Sequence, residues 1–184
     1  MPPDKWSIIR PAQVWGVGDK TLTPRIVNFL RHAPCIVHFG KWRGANRWPL
    51  AHVRNVATAA LLAATAPEAA GQAINIVDNE HTSIESFYRL LASVYLPDKT
   101  FRSITIPFWC GVVYGAIISA LSNLFNLDHP LADPSLYALY SISHNLDFGN
   151  QRMQALFQTY GNPIITRDEG VAELRISETA FQPE

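Results

Sequence analysis

Four short spacings bring residues with chemical capability close together in this chain. Gly16-x-Gly18 stands between an expected strand and an expected helix, where glycines can shape a phosphate-cradling turn. Tyr95-x-x-x-Lys99 on a helix would put a phenol beside an ammonium that lowers its pKa, a pairing suited to proton transfer. Cys35-x-x-His38 offers a thiol and an imidazole to a metal, and Asp147-Phe148-Gly149 matches a magnesium-holding tripeptide.

Each spacing is weakened by its surroundings. The third glycine position of the turn holds Thr21, Pro24 removes a donor where helix N–H groups should face a phosphate, and no acid follows about twenty residues on. Pro97 sits between Tyr95 and Lys99 and disfavours helix at Leu96, so the two side chains are not expected to share a face. Residues three apart in a strand point to opposite sides, which separates Cys35 from His38. The Asp-Phe-Gly tripeptide has no other kinase element beside it, and neither H-E-x-x-H nor G-x-S-x-G occurs. No catalytic residue and no metal ligand is therefore assigned from spacing alone.

The elements that would position these residues alternate. Trp6 to Pro11 reads as a buried strand, and Gly16 to Asp19 as a turn. A helix over Leu22–His32 is expected, with Thr23 as its cap and Pro24 as its first residue. Pro34 to Phe39 is a second strand, and Gly40 to Pro49 a polar, aromatic loop. His52 to Ala66 is helical with Asn55 as cap, Gly71 to Asp78 is a third strand, and Ser83 caps a further helix. Beyond Pro107 only helix is expected, including one around Asn150 to Tyr160 and a last one from Asp168. Alternation of this kind predicts an α/β domain with partly parallel strands, here a part over residues 1–100 followed by a mainly helical part over 101–184.

Residues 104–127 carry no charge. At 1.5 Å per residue, about 19 of them would reach roughly 28 Å, close to a bilayer's hydrocarbon thickness. Gly111, Gly115 and Ser119 recur on one face, as in helices that approach closely in lipid. Thr105, Ser119, Ser122, Asn123 and Asn126 dilute the stretch and no Lys/Arg cluster follows it. Two readings stay open: a membrane contact, spanning or monotopic, and an apolar helix packed within the protein or over a ligand.

Composition sets the outer limits. The 184 residues are 48% hydrophobic and 16% charged, with 15 Lys+Arg balancing 15 Asp+Glu. That is enough chain to bury roughly 70% of its unfolded surface, and it lacks the basic stripe that a nucleic-acid partner needs. The two cysteines, Cys35 and Cys110, cannot build a disulfide framework. Met1 to Lys5 has no secretory apolar core, so the chain is expected to begin at Met1 or to be cut from something longer.

Three blocks in order carry a family resemblance. Arg10-Pro11-Ala12-Gln13-Val14-Trp15-Gly16-Val17-Gly18-Asp19 resembles the Arg-Pro-x-x-Val-Tyr-Gly-Pro-Gly-Asp segment of extended short-chain dehydrogenases. His52-Val53-Arg54-Asn55-Val56-Ala57-Thr58-Ala59 and Gly71-Gln72-Ala73-Ile74-Asn75-Ile76-Val77-Asp78 resemble the helix start and the strand that follow it in that superfamily. The Asn55-Val56-Ala57 form and the uncharged helix are most similar to the 3β-hydroxysteroid dehydrogenase/isomerase branch. Trp48-Pro49 stands where nucleotide-sugar epimerases commonly carry a basic residue.

Members of that branch carry Gly-x-x-Gly-x-x-Gly and Tyr-x-x-x-Lys upstream of the Arg-Pro block, which here begins at residue 10. The resemblance thus implies an incomplete Rossmann-like fold lacking its nucleotide-binding half, from an enzyme using NAD or NADP. It implies that the backbone of Pro11 and Ala12 meets the nicotinamide and that Gln13 points to substrate, with a solvated loop residue as the alternative for Gln13. It further implies that Trp109, Val113, Tyr114 and Ile117 line a pocket for a sterol-like molecule, with plain core as their alternative. The implied location is intracellular and membrane-associated, at the endoplasmic reticulum in a eukaryote.

A half-sheet also implies exposed apolar surface and docking to another polypeptide. Two other readings stand beside the dehydrogenase part: a catalytically dead apolar-ligand or interaction module, and a fragment of a nucleotide-sugar epimerase or reductase.

Overall fold

The computed structural model describes residues 6–124 and 136–181. Its strands are short and all pair in parallel. β1 (Ile8–Pro11) lies against β5 (Ala73–Ile76), β2 (Gln13–Trp15) against β4 (Leu50–His52), and β3 (Cys35–Phe39) against β6 (Arg102–Ile106). Parallel pairs need crossovers, which the helices supply. Helices α1 (Leu22–His32), α2 (Val53–Thr65) and α3 (Ile84–Tyr95) lie between the strands, and α4 (Phe108–Leu124), α5 (Leu136–Ser143), α6 (Gln151–Thr159) and α7 (Arg167–Phe181) follow the last one.

Two apolar cores result. One packs Trp15, Leu30, Ile36, Phe87 and Leu91 with Leu174 of α7, and the other packs Ala51, Leu62, Ile74 and Ile76 with Met153 and Phe157 of α6. Late helices therefore close cores that early strands open.

Local chemistry sets the helix starts, in two cases differently from expectation. Helix α1 begins at Leu22, and its free N–H groups at Thr21, Leu22 and Thr23 are taken by the Asp19 carboxylate at 2.8, 3.1 and 2.7 Å, so Asp19 and not Thr23 caps it. Burial pushes the Asp19 pKa up, but the N–H donors outweigh it and hold it below the ordinary value. Helix α2 begins at Val53, so Asn55 lies inside the first turn and its amide is spent elsewhere. Ser83 caps α3 as expected, in a reciprocal pairing with Ser86.

The strand near the start is present, but Ile8, Arg10 and Pro11 are exposed, and among the described residues β1 is flanked by a strand on one side only. Residues 104–106 belong to β6, and α4 spans 17 residues, shorter than the expected stretch; residues 125–127 lie outside the described part. No helix among the described residues is long and apolar enough to cross a membrane. The Gly111 and Gly115 face of α4 is buried. A Cβ on Gly111 would stand 2.8 Å from Phe39 and Leu139, so this small residue lets α4 seat against β3 and α5.

Candidate functional site

Pro11, Ala12 and Gln13 lie where the chain leaves one strand pair for another. Ala12 N–H donates to Ile76 O at 3.0 Å, and Gln13 N–H donates to Pro49 O at 3.2 Å. This is the carboxyl end of parallel strands at a change of partner, the place where open α/β sheets make ligand crevices. Pro11 is exposed, and Ala12 and Gln13 are half-buried.

A buried carboxylate ties the neighbouring strand ends together. Asp78, just past β5, accepts Trp15 Nε1–H at 2.8 Å, His52 N–H at 2.8 Å and Asn55 Nδ2–H at 2.9 Å. Burial pushes its pKa up, the three donors pull it down, and the balance stays above the ordinary carboxylate value. Asn55 extends the network by donating to Ile165 O at 3.1 Å and accepting Ile165 N–H at 2.8 Å, which fixes the segment entering α7.

Beside Asp78 a polar cavity of about 290 Å³ opens between Arg47, Pro49, residues 77–82 and residues 146–151. Its walls are cross-linked: Arg47 pairs with Asp147 at 2.6 Å, and Asn150 and Gln154 both donate to Asn79 Oδ1. Glu80 accepts Arg167 N–H with one oxygen, while its other oxygen is buried without a partner. Such a cavity suits a small polar ligand bearing donors. Sequence reasoning missed it; the one tripeptide that pointed there, Asp147-Phe148-Gly149, looked like a different chemistry.

A larger, apolar cavity of about 510 Å³ lies between α1, β3, α3, α4 and α5. Phe29, Val37, Phe39, Leu139 and Ile142 line it, with Tyr88, Tyr114 and Arg25 as its polar-tipped members. Of the four residues expected at an apolar pocket, Tyr114 is on this wall. Trp109, Val113 and Ile117, four apart, stand on the exposed side of α4 at 66%, 48% and 53% exposure.

The remaining spacings have other duties. Lys99 lies beyond the end of α3, and its ammonium donates to the carbonyls of Leu30, Arg31 and Ala33 at 2.8, 2.8 and 3.0 Å, closing the end of α1. His38 is buried and its Nε2 meets Glu85 at 2.5 Å. Gly16 and Gly18 form a turn with positive φ, and a Cβ on Gly16 would strike Val53 at 2.8 Å. Gly16 is thus packed against protein, while Gly18 faces open space.

The chain matches no protein-family profile and no curated protein. Solved structures do resemble it. Epimerase Mth375 from Methanothermobacter thermautotrophicus is 13% identical, with a TM-score of 0.59 over 95% of this chain and 43% of that one. UDP-glucuronic acid 4-epimerase from Bacillus cereus, in complex with UDP-glucuronic acid and NAD, is 13% identical, with a TM-score of 0.55 over 96% and 46%. A human epimerase family protein with NADPH is 16% identical, with a TM-score of 0.56 over 92% and 47%. The chain spans about half the length of these structures. It has part of the Rossmann-like α/β fold of this group of epimerases and dehydratases.

Proposed function

We propose that the chain is the substrate-recognising C-terminal part of an NAD(P)-dependent oxidoreductase of the extended short-chain dehydrogenase type, whose parent oxidises the secondary alcohol of a sterol or similar polycycle. The observation that carries this reading is the one-sided strand β1: nearly the whole chain superposes on half of a Rossmann-like enzyme, and among the described residues β1 is paired only with β5. The three sequence blocks agree with it in order.

In this reading the backbone at Pro11 and Ala12 meets the nicotinamide end of the cofactor, and Gln13 faces the substrate. The Gly16 turn packs against Val53 and His52 and has Thr21 where a dinucleotide turn carries its third glycine, so it does not fit a dinucleotide's phosphates. The ammonium of Lys99 is committed to the end of α1, away from any proton-transfer role. Chemistry that a nicotinamide carries needs a positioned proton acceptor, and the Tyr95-x-x-x-Lys99 pair that could supply one is interrupted by Pro97. The chain alone is accordingly inactive in hydride transfer.

A second reading, a catalytically dead apolar-ligand module, is favoured by one observation: the apolar cavity is walled by this chain's own residues. Two measurements decide. Incubated with NAD or NADP and a 3β-hydroxysteroid, the purified 184 residues should give no reduced cofactor. The native gene product, sized by intact mass, should be about twice as long and should turn over. A native product of this length with turnover of its own overturns the proposal.

A further inference from the structure

The ring of Tyr88 packs against the first apolar core, but its hydroxyl is a feature of the apolar cavity that packing does not explain. The side chain rises from α3 into a wall that includes Phe29, Phe39, Leu139 and Ile142, with Tyr114 and Arg25 as the other polar-tipped members, and its ring meets Trp48 edge-on at 6.4 Å. Among the described residues nothing hydrogen-bonds its hydroxyl. That hydroxyl is also absent from the sealed, unpartnered polar atoms, which belong to Thr23, His52 and Glu80, so it borders open space. Burial pushes its pKa up to about 12, so it is a neutral donor and acceptor at physiological pH. A phenol hydroxyl that borders an unfilled, largely apolar volume can take a hydrogen bond from a guest that brings an oxygen to it.

We propose that Tyr88 is the polar recognition residue of this cavity, its hydroxyl hydrogen-bonding the single hydroxyl or ketone oxygen of a flat apolar ligand seated between α1, β3, α4 and α5. The cavity volume of about 510 Å³ lies within the range of small-molecule sites, and the aromatic walls suit a fused-ring body. The inference rests on the preceding reading for the choice of a sterol as probe. It is read as binding without cofactor, so its failure is separable from failure of the dehydrogenase reading, which is read as turnover by the parent.

The test is titration of the purified chain with dehydroergosterol, followed by energy transfer from tryptophan. Saturable one-to-one binding is expected. Tyr88→Phe should weaken it about three- to tenfold, the worth of one hydrogen bond. A sterane lacking the oxygen should bind wild type and Tyr88→Phe alike. Ile142→Trp, which fills the volume, should abolish binding with the far-ultraviolet spectrum intact. Equal sterol affinity of wild type and Tyr88→Phe overturns the proposal, as does loss of binding on Trp109→Ser with Tyr88→Phe silent, which would place the sterol on the outer side of α4. Preference for cis-parinaric acid over the sterol overturns it too.

Discussion

The indole N–H of Trp15 donates to the Asp78 carboxylate at 2.8 Å across 63 positions of sequence, and both residues are buried. The second carboxylate oxygen takes His52 N–H and Asn55 Nδ2–H, so one side chain ties β2, the β4–α2 junction and the end of β5 together. Removing the acceptor leaves three buried donors orphaned, whereas removing the indole N–H costs one bond.

Asp78→Ala should therefore lose about 3–5 kcal/mol of stability, and Trp15→Phe distinctly less. Urea unfolding at neutral pH measures both. An Asp78→Ala loss under about 1 kcal/mol would show that water replaces the network.

His52 gives the fold an acid-sensitive point. Its ring is fully buried, neither nitrogen has a hydrogen-bond partner among the described residues, and Glu173 stands at 3.8 Å. Burial lowers its pKa, and the nearby carboxylates of Glu173 and Asp78 only partly oppose this. The unfolded chain then binds the proton more readily than the folded one. Stability is full above about 6.5, the ordinary histidine value, and declines as pH falls through and below it, by at most about 1.4 kcal/mol per pH unit. His52→Phe keeps the ring against Trp15 and removes the titration. The stability difference between the two proteins should shift in favour of the variant on acidification; parallel curves from pH 7 to 5 would rule His52 out.

How far the sequence was legible depends on whether an element carried its own signal. Ser83, with Ser86 three residues on, announces a helix start by local bonding alone, and the strand at Ile74 and Ile76 announces itself by burial on alternate residues. Strands β2 and β4 have three residues each, too few for a period, and form because Gln13 and Leu50 face each other across 37 positions. β6 was hidden because Ile104 and Ile106 run straight into the apolar α4 and share its composition. Asn55 looked like a cap, but its amide serves partners 23 and 110 positions away, which no local pattern encodes. The hydroxyl of Tyr88 becomes conspicuous only once the walls of five elements are assembled around it.

Gly44 holds φ +81° and lies against the ring of His38, which a Cβ there would overlap. His38 cannot retreat easily, being bonded to Glu85, which in turn accepts from Arg89 and Ser103. Gly44→Ala should cost about 2–4 kcal/mol, the left-handed backbone and the overlap adding together. Thermal melts of the variant and of Gly18→Ala, whose Cβ would meet nothing, separate the two contributions. Equal losses in the two would mean that the His38 contact yields.

Lys99 closes α1 with three bonds to the carbonyls of Leu30, Arg31 and Ala33. Lys99→Met keeps much of the apolar stem and leaves those carbonyls to water or to nothing, for an expected loss of about 1–3 kcal/mol. Amide exchange should quicken in the last turn of α1 and stay unchanged in α3. Quickening confined to α3 would place the lysine's role beside Tyr95 after all.

Strand β1 carries the consequence for association. Ile8 N–H donates to Gln72 O and Ala12 N–H to Ile76 O, so the bonding of this strand is directed at β5 and its far edge has no strand beside it among the described residues. Ile8 is 44% exposed on that edge. A bare edge with an exposed branched side chain pairs readily with another chain, and a charge placed on it prevents this. The purified protein should show a mass that rises with concentration in sedimentation, together with binding of an apolar dye. Ile8→Lys should return it to a monomer with its melting temperature nearly unchanged, because the side chain gives up little burial. A wild-type chain that sediments as a dye-silent monomer across the concentration range would mean that this edge is protected, and the half-enzyme reading would lose its main structural support.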